Sequence, residues 1–216
     1  DDIAPLTTLN ASVFEKDLHL FPIRKAVAWR IYTHKGNTGH KFFVAENPPE
    51  GALLHIYAKV AGDAEGTVSP SGGDAVRTFK AELESGLNRV NWDLRYDSPV
   101  PDAGQGFGGP PRGPRVLPGA YTVQVASGDA MSEGSVQVAE DPRIQISEAD
   151  RRANHDALVR LTGMIAGMTR AHEVAEATAK EAAELVQAFV GESDSDLKTR
   201  VSEFREAAAE AAKNLS

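Results

Sequence analysis

Asn88-Arg89-Val90-Asn91-Trp92-Asp93-Leu94-Arg95-Tyr96 alternates without a break. Val90, Trp92, Leu94 and Tyr96 fall on one side of an extended chain, and Asn91, Asp93 and Arg95 on the other. A period of two belongs to a strand with one face on a core. Outward from this stretch the pattern returns. Leu54, Ile56, Ala58 and Val60 alternate with His55, Tyr57 and Lys59, and Val76–Ala81 is a shorter candidate. Tyr121, Val123 and Val125 repeat the pattern, as do Val136 and Val138 after the turn Ser127-Gly128-Asp129. Upstream, Ala26–Tyr32 and Lys41–Val44 flank a turn at Lys35–Gly39, and Asn47-Pro48-Pro49-Glu50-Gly51 breaks the pattern. About seven short strands with turns between them predict an antiparallel β-sandwich over 26–142. Residues 1–25 have no lasting period and are expected to form an arm.

Within the sandwich, residues 98–119 change composition, with Gly and Pro dominating from Ser98 to Gly119. Such a stretch forms neither ladder nor helix, so it reads as a long surface loop. The boundary comes at Asp141-Pro142-Arg143. Ser147-Glu148-Ala149-Asp150 then resembles a capping box with Asp in place of Glu. Leu158, Leu161, Ile165, Met168, His172, Ala175, Ala179, Ala182, Val186 and Phe189 follow, spaced alternately three and four. Gly191 is placed to stop that helix, and Ser193 or Ser195 to cap another. In the second, Leu197, Val201, Phe204, Ala208, Ala211 and Leu215 alternate four and three. Two heptad stripes joined by a short turn predict an antiparallel α-helical hairpin over 143–216. Its members differ in length, about 43 residues against about 20, or roughly 64 Å against roughly 30 Å. The second can cover only the alanine-rich half of the first, near Arg170–Val190. Leu158, Leu161, Ile165 and Met168 are left over and need shelter elsewhere, since burying each is worth ~1.5–3 kcal/mol. They are the candidate partner-binding residues.

The chain of 216 residues is 41% hydrophobic, enough for a real core. Its net charge of −8 comes with no basic stripe, which argues against nucleic acid as a partner. With no cysteine there is no disulfide, thiol nucleophile or thiolate metal site. No apolar run reaches the ~20 residues of a membrane span. A start at Asp1 without a signal peptide reads as a processed or truncated piece.

Five segments in order carry a resemblance. They are Asp1-Asp2-Ile3-Ala4-Pro5-Leu6, Trp29-Arg30-Ile31-Tyr32, Gly86–Tyr96, Pro118-Gly119-Ala120-Tyr121-Thr122-Val123, and Asp141-Pro142-Arg143. Together they resemble the C-terminal region of bacterial sortilin-like, BNR-repeat β-propeller proteins, often labelled glycosyl hydrolases. The resemblance covers about residues 1–150. It implies an Ig-like domain of the fibronectin III or hook-capping-protein type, export to the periplasm or beyond, and a propeller lying outside this chain. It carries over no catalytic residue, because no position here matches one of the propeller.

Other motifs have plainer readings. Gly104-Gln105-Gly106-Phe107-Gly108-Gly109 fits GxGxxG, but Pro110-Pro111 follows where a helix would have to begin, so a flexible loop is the better reading. Gly163 and Gly167 form GxxxG between Arg160 and Arg170, which reads as close packing on a neighbouring helix rather than a membrane dimer. His34 with His40, and His172 with Glu176, each supply two metal ligands where a stable site needs three or four. Glu192-Ser193-Asp194-Ser195-Asp196 lacks the central Gly and distal Glu of a calcium loop. Glu82, Glu84, Asp93 and Asp97 lie near strands, with Asp93 expected on the solvated side, so no carboxylate pair for glycoside cleavage is visible. Arg89, Asp93 and Arg95 share that outer face as a charge ladder, and Tyr121 reads as a core or corner tyrosine.

No catalytic constellation and no cofactor site follow from the sequence. The leading reading is a non-catalytic extracytoplasmic binding or assembly module, in its more specific form a subunit docking on a larger extracytoplasmic or membrane complex. Its partner would be a protein or the missing propeller, packed on the first long helix. The alternative is an accessory glycan-binding or spacer domain of a propeller-type glycosyl hydrolase, with Tyr57 or Phe107 stacking on sugar.

Overall fold

The computed structural model describes residues 3–29, 40, 49–100, 112–188 and 195–215. It holds a β-rich region with two sheets, followed by two packed helices. The chain falls into two compact units. One takes residues 1–97 and 112–156, the other 98–111 and 157–216.

The first unit opens with two short helices, α1 (Ala4–Thr8) and α2 (Ala11–Phe14). The Asn10 side chain caps α2 by accepting from the Ser12 N–H at 3.0 Å. Strand β1 (Leu18–Leu20) then pairs antiparallel with β3 (Ala52–Ala58), and β3 with β6 (Gly86–Trp92). Residues expected to form an arm thus supply a strand, and Val13, Leu18, Leu20 and Phe21 are buried. The second sheet runs β2 (Ala26–Ala28), β8 (Ala130–Glu140), β7 (Gly119–Ser127), β4 (Gly62–Pro70), β5 (Arg77–Leu83). All its pairs are antiparallel except β2 with β8, which is parallel. The proposed strand Lys41–Val44 and the turn Lys35–Gly39 lie outside the described residues.

Both sheets contribute to one core. Leu54, Ile56 and Ala58 come from the first, and Ala64, Val68, Val123, Val125, Val136 and Val138 from the second. Val60 does not join them. It lies past the end of β3 and is exposed, because the chain has already turned toward β4. Strand β4 itself escapes the period-two reading. Its central core-side position is Gly66, and the Phe79 ring of β5 occupies the space where a Cβ would stand. An aromatic ring from the next strand covers the missing side chain, as glycines in sheets often require.

The alternating face of Asn88–Tyr96 survives, but the strand does not run its full length. β6 ends at Trp92, and Leu94 takes a left-handed backbone with φ of 58° while remaining fully buried. A branched residue accepts that conformation at a cost of roughly 1–2 kcal/mol. The returning chain compensates with hydrogen bonds, from Val116 N–H to the Leu94 carbonyl at 2.9 Å and from Tyr96 N–H to the Pro114 carbonyl at 2.9 Å. The Trp92 indole N–H donates to the Arg95 carbonyl at 3.1 Å.

Tyr121 packs on Trp92, with ring centroids 5.4 Å apart, and its hydroxyl donates to the Leu117 carbonyl at 2.7 Å. Burial pushes the phenol pKa up to about 12. The ordinary value is about 10, so the unfolded chain gives up this proton first. The resulting stabilisation is complete below pH 10 and is lost between pH 10 and 12, amounting to roughly 2–3 kcal/mol. Tyr121→Phe should cost about 1 kcal/mol at neutral pH for the lost hydrogen bond. Denaturant titrations of both proteins should cross above pH 10, with the Phe variant then the more stable. Parallel pH profiles would contradict a buried, neutral Tyr121.

Candidate interaction surface

At the end of β8 the chain is held by Asp141, which is buried. Its carboxylate accepts from the Arg143 backbone N–H at 3.0 Å and from the Arg143 guanidinium at 2.8 and 2.6 Å. That guanidinium also lies 5.3 Å over the Trp29 ring. Asp141-Pro142-Arg143 is therefore a closed turn fastened to its own unit. Ser147 then caps helix α3 (Glu148–Ala188): its hydroxyl accepts from the Asp150 N–H at 3.1 Å and donates to the Asp150 carboxylate at 2.7 Å. The first turns of α3 are tied to the β-rich unit by the Arg151–Glu140 ion pair and by His155 against Tyr96, 5.5 Å between ring centroids.

From Ala157 onward α3 belongs to the second unit, with α4 (Ser195–Leu215). The helices have 41 and 21 residues, so α3 outruns its mate by about 30 Å at 1.5 Å per residue. Ala182 and Ala212 are buried in the seam, and Ala175 and Ala179 are half-buried along it. On α4 the seam is shifted by one residue from the expected stripe. Val201 and Ala208 face it, but Phe204 and Ala211 are exposed, and Arg205 and Ala212 take their places. The side chains of Val186, Leu197 and Leu215, and all of Phe189, lie outside what is described.

His172 closes the seam. Its Nδ1 lies 2.9 Å from the Ala212 carbonyl, and a carbonyl only accepts, so Nδ1 carries the proton. Ala212 belongs to the last turn of α4, where carbonyls have no partner within the helix. His172 supplies one, and its Nε2 stands 3.6 Å from Glu176.

Beyond His172 the stripe is uncovered. Leu158 is 45% exposed, Leu161 54%, Ile165 46% and Met168 52%. Met164, at a position flanking the stripe, is exposed as well. Gly163 and Gly167 correct an expectation. Among the described residues they do not sit against a neighbouring helix, for none stands within 4 Å of where either Cβ would be.

The remaining candidates have local roles or lie outside the described residues. Asp93 is half-buried rather than solvated, and its Oδ1 is buried without a hydrogen-bond donor among the described residues. Beyond it Arg95 and Arg115 pair as an isolated antiparallel bridge. Arg95 donates to the Gly113 carbonyl at 3.0 Å, and Arg115 pairs with Glu50. Burial, and after it the neighbouring Arg115 guanidinium, lower the Arg95 pKa. Past the end of β6, Asp93, Arg95 and Arg115 are half-buried, whereas Arg89 on the strand itself is exposed. Asp97 accepts from the Thr78 N–H and hydroxyl, each at 3.1 Å. Asn88 accepts from the Glu84 N–H at 2.8 Å and donates to its carbonyl at 2.7 Å. Tyr57 is half-buried, its ring edge-on to Phe14 at 5.6 Å. The two lie beside an apolar hollow of about 90 Å³ shared with Pro5, Leu6 and Leu87. Among the described residues no three His, Asp or Glu side chains come together as metal ligands, and no helix is long and apolar enough to cross a membrane. His34, Phe107, Gly104–Gly109 and the Glu192–Asp194 part of the acidic turn lie outside them.

His172→Ala should loosen the last turn of α4 at a cost of about 1 kcal/mol. Hydrogen exchange of the amides near Ala212 should quicken, with those of β3 and β7 unchanged. Unaltered exchange at Ala212 would mean that the imidazole holds nothing there.

No protein-family model matches the chain, and no curated protein matches it.

Proposed function

We propose that the chain is a non-catalytic extracytoplasmic binding and assembly module, docking through the N-terminal half of α3. The observation that carries this is the row Leu158, Leu161, Ile165 and Met168, each about half exposed on a helix whose mate stops short of them. Scattered apolar residues on a surface are ordinary, but four in register along one seam are not. The β-rich unit is the scaffold. Its buried Trp92, and a Tyr121 hydroxyl bonded back to the backbone at Leu117, accord with an Ig-like domain of the fibronectin III or hook-capping type. The segments shared with the sortilin-like propeller proteins support export, and make a protein or a propeller domain the class of partner.

In this reading the stripe serves contacts outside its own unit. The double variant Leu161→Asp/Ile165→Asp should therefore keep the parent circular dichroism and melt within about 0.5 kcal/mol of it, as surface changes do. The same variant should lose the association with other envelope components that the parent shows in native gels of a cell-envelope extract. A loss of several kcal/mol in stability, or unaltered association, would show that the stripe is not a docking surface.

A further inference from the structure

The segment before β1 does more than lead into the sheet. Tyr57 of β3 and Leu87 of β6 stand opposite each other in register, on the face of the three-stranded sheet turned away from the core. Helices α1 and α2 add further apolar side chains there. Pro5 lies in the first turn of α1 and is buried, and the Phe14 ring of α2 meets Tyr57 edge-on at 5.6 Å. These surfaces do not close on one another. Between them remains the hollow of about 90 Å³, lined by Leu6 and Leu9 from the segment before β1, by Tyr57 and Leu87 from the sheet, and by the buried Phe21. Gly86 also lines it, and among the described residues nothing stands within 4 Å of where its Cβ would be.

The wall of the hollow is carbon throughout. A polar group entering it would give up water and gain no hydrogen bond, so what enters is hydrocarbon. A cavity of ~150 Å³ with such walls takes benzene. At about 90 Å³ this one suits a smaller group, a branched aliphatic of about four or five carbons. Leu6, Phe14 and Leu87 are each about half exposed, so the hollow opens to water and the group can hang from a polar body that stays outside. Gathered round one opening, these side chains differ from apolar residues scattered singly over a surface.

We propose that this hollow is a binding site for one branched aliphatic group, carried either by a free small molecule or by a leucine-type side chain. The proposal does not rest on the reading of α3. A group of that size binds on its own with a dissociation constant on the order of millimolar.

The full chain, with isotopically labelled leucine methyls, is titrated with three probes from about 1 to about 100 mM, a range spanning that value. Isopentyl alcohol stands for the free molecule and N-acetylleucinamide for the side chain. N-acetylasparaginamide is a polar body of nearly the same shape. The methyl signals of Leu6, Leu9 and Leu87 should move and saturate in the millimolar range with an aliphatic probe, and not with the asparagine compound. Leu158 and Leu161, exposed on α3, should show no saturation there. Saturation with the alcohol alone supports the site and assigns it to a free molecule. Saturation with leucinamide alone supports it and assigns it to a side chain, and saturation with both supports the aliphatic group itself. Leu87→Trp sets a larger ring in the opening, at a half-exposed strand position that accepts an aromatic residue. Read at Leu6 and Leu9, it should raise the midpoint roughly tenfold or more. No saturation with either aliphatic probe, an equal response to the asparagine compound, the same midpoint at Leu158 and Leu161, or an unchanged midpoint in Leu87→Trp overturns the proposal.

Discussion

Within the described residues, a helix of 41 residues packs on one of 21 and is covered by it along only part of its length. That mismatch governs what the second unit can do. Where α4 reaches, the described seam positions of α3 are alanines and one histidine. Where it does not, the same seam carries leucine, isoleucine and methionine. The change in residue size at His172 coincides with the end of the partner helix, which is how a seam looks when its two halves serve different neighbours. The larger side chains gain more from burial, about 1.5–3 kcal/mol each, and that gain is available to whatever occupies them.

The β-rich unit secures the start of this rod rather than its exposed part. Asp141 and Arg143 close the turn after β8, Ser147 caps the helix, and Arg151 and His155 fasten its first turns to Glu140 and Tyr96. Each of these is a short-range device, and they cluster within fifteen residues of sequence. From Ala157 onward no such anchor is needed for the helix to continue, because its backbone bonds are satisfied internally.

Much of this was legible in the sequence. Leu54, Ile56 and Ala58, or Val123 and Val125, announce their strands because one face meets a core and the other does not. The heptad spacing announced both helices and their unequal lengths, and Ser147-x-x-Asp150 marked where the first begins. Strand β4 was hidden because Gly66 leaves its core-side space to Phe79, a partner thirteen residues away and on another strand. Strand β1 is three residues long, too short for a period to show. Phe204 misled because heptad spacing fixes the buried stripe only to within a residue, and here Arg205 and Ala212 are the more buried positions. The Arg95–Arg115 bridge joins residues on either side of the Gly/Pro loop, and nothing local records such a pairing.

The central claim is that the upstream half of the α3 seam stands open to water in a single chain. The three methionines offer a direct reading, since thioether oxidation by peroxide follows exposure. Met131, on strand β8, is exposed and serves as the internal reference. In dilute solution Met168 should oxidise at a rate close to that of Met131. A Met168 that resists peroxide even in the most dilute chain would mean that the seam is already filled from within.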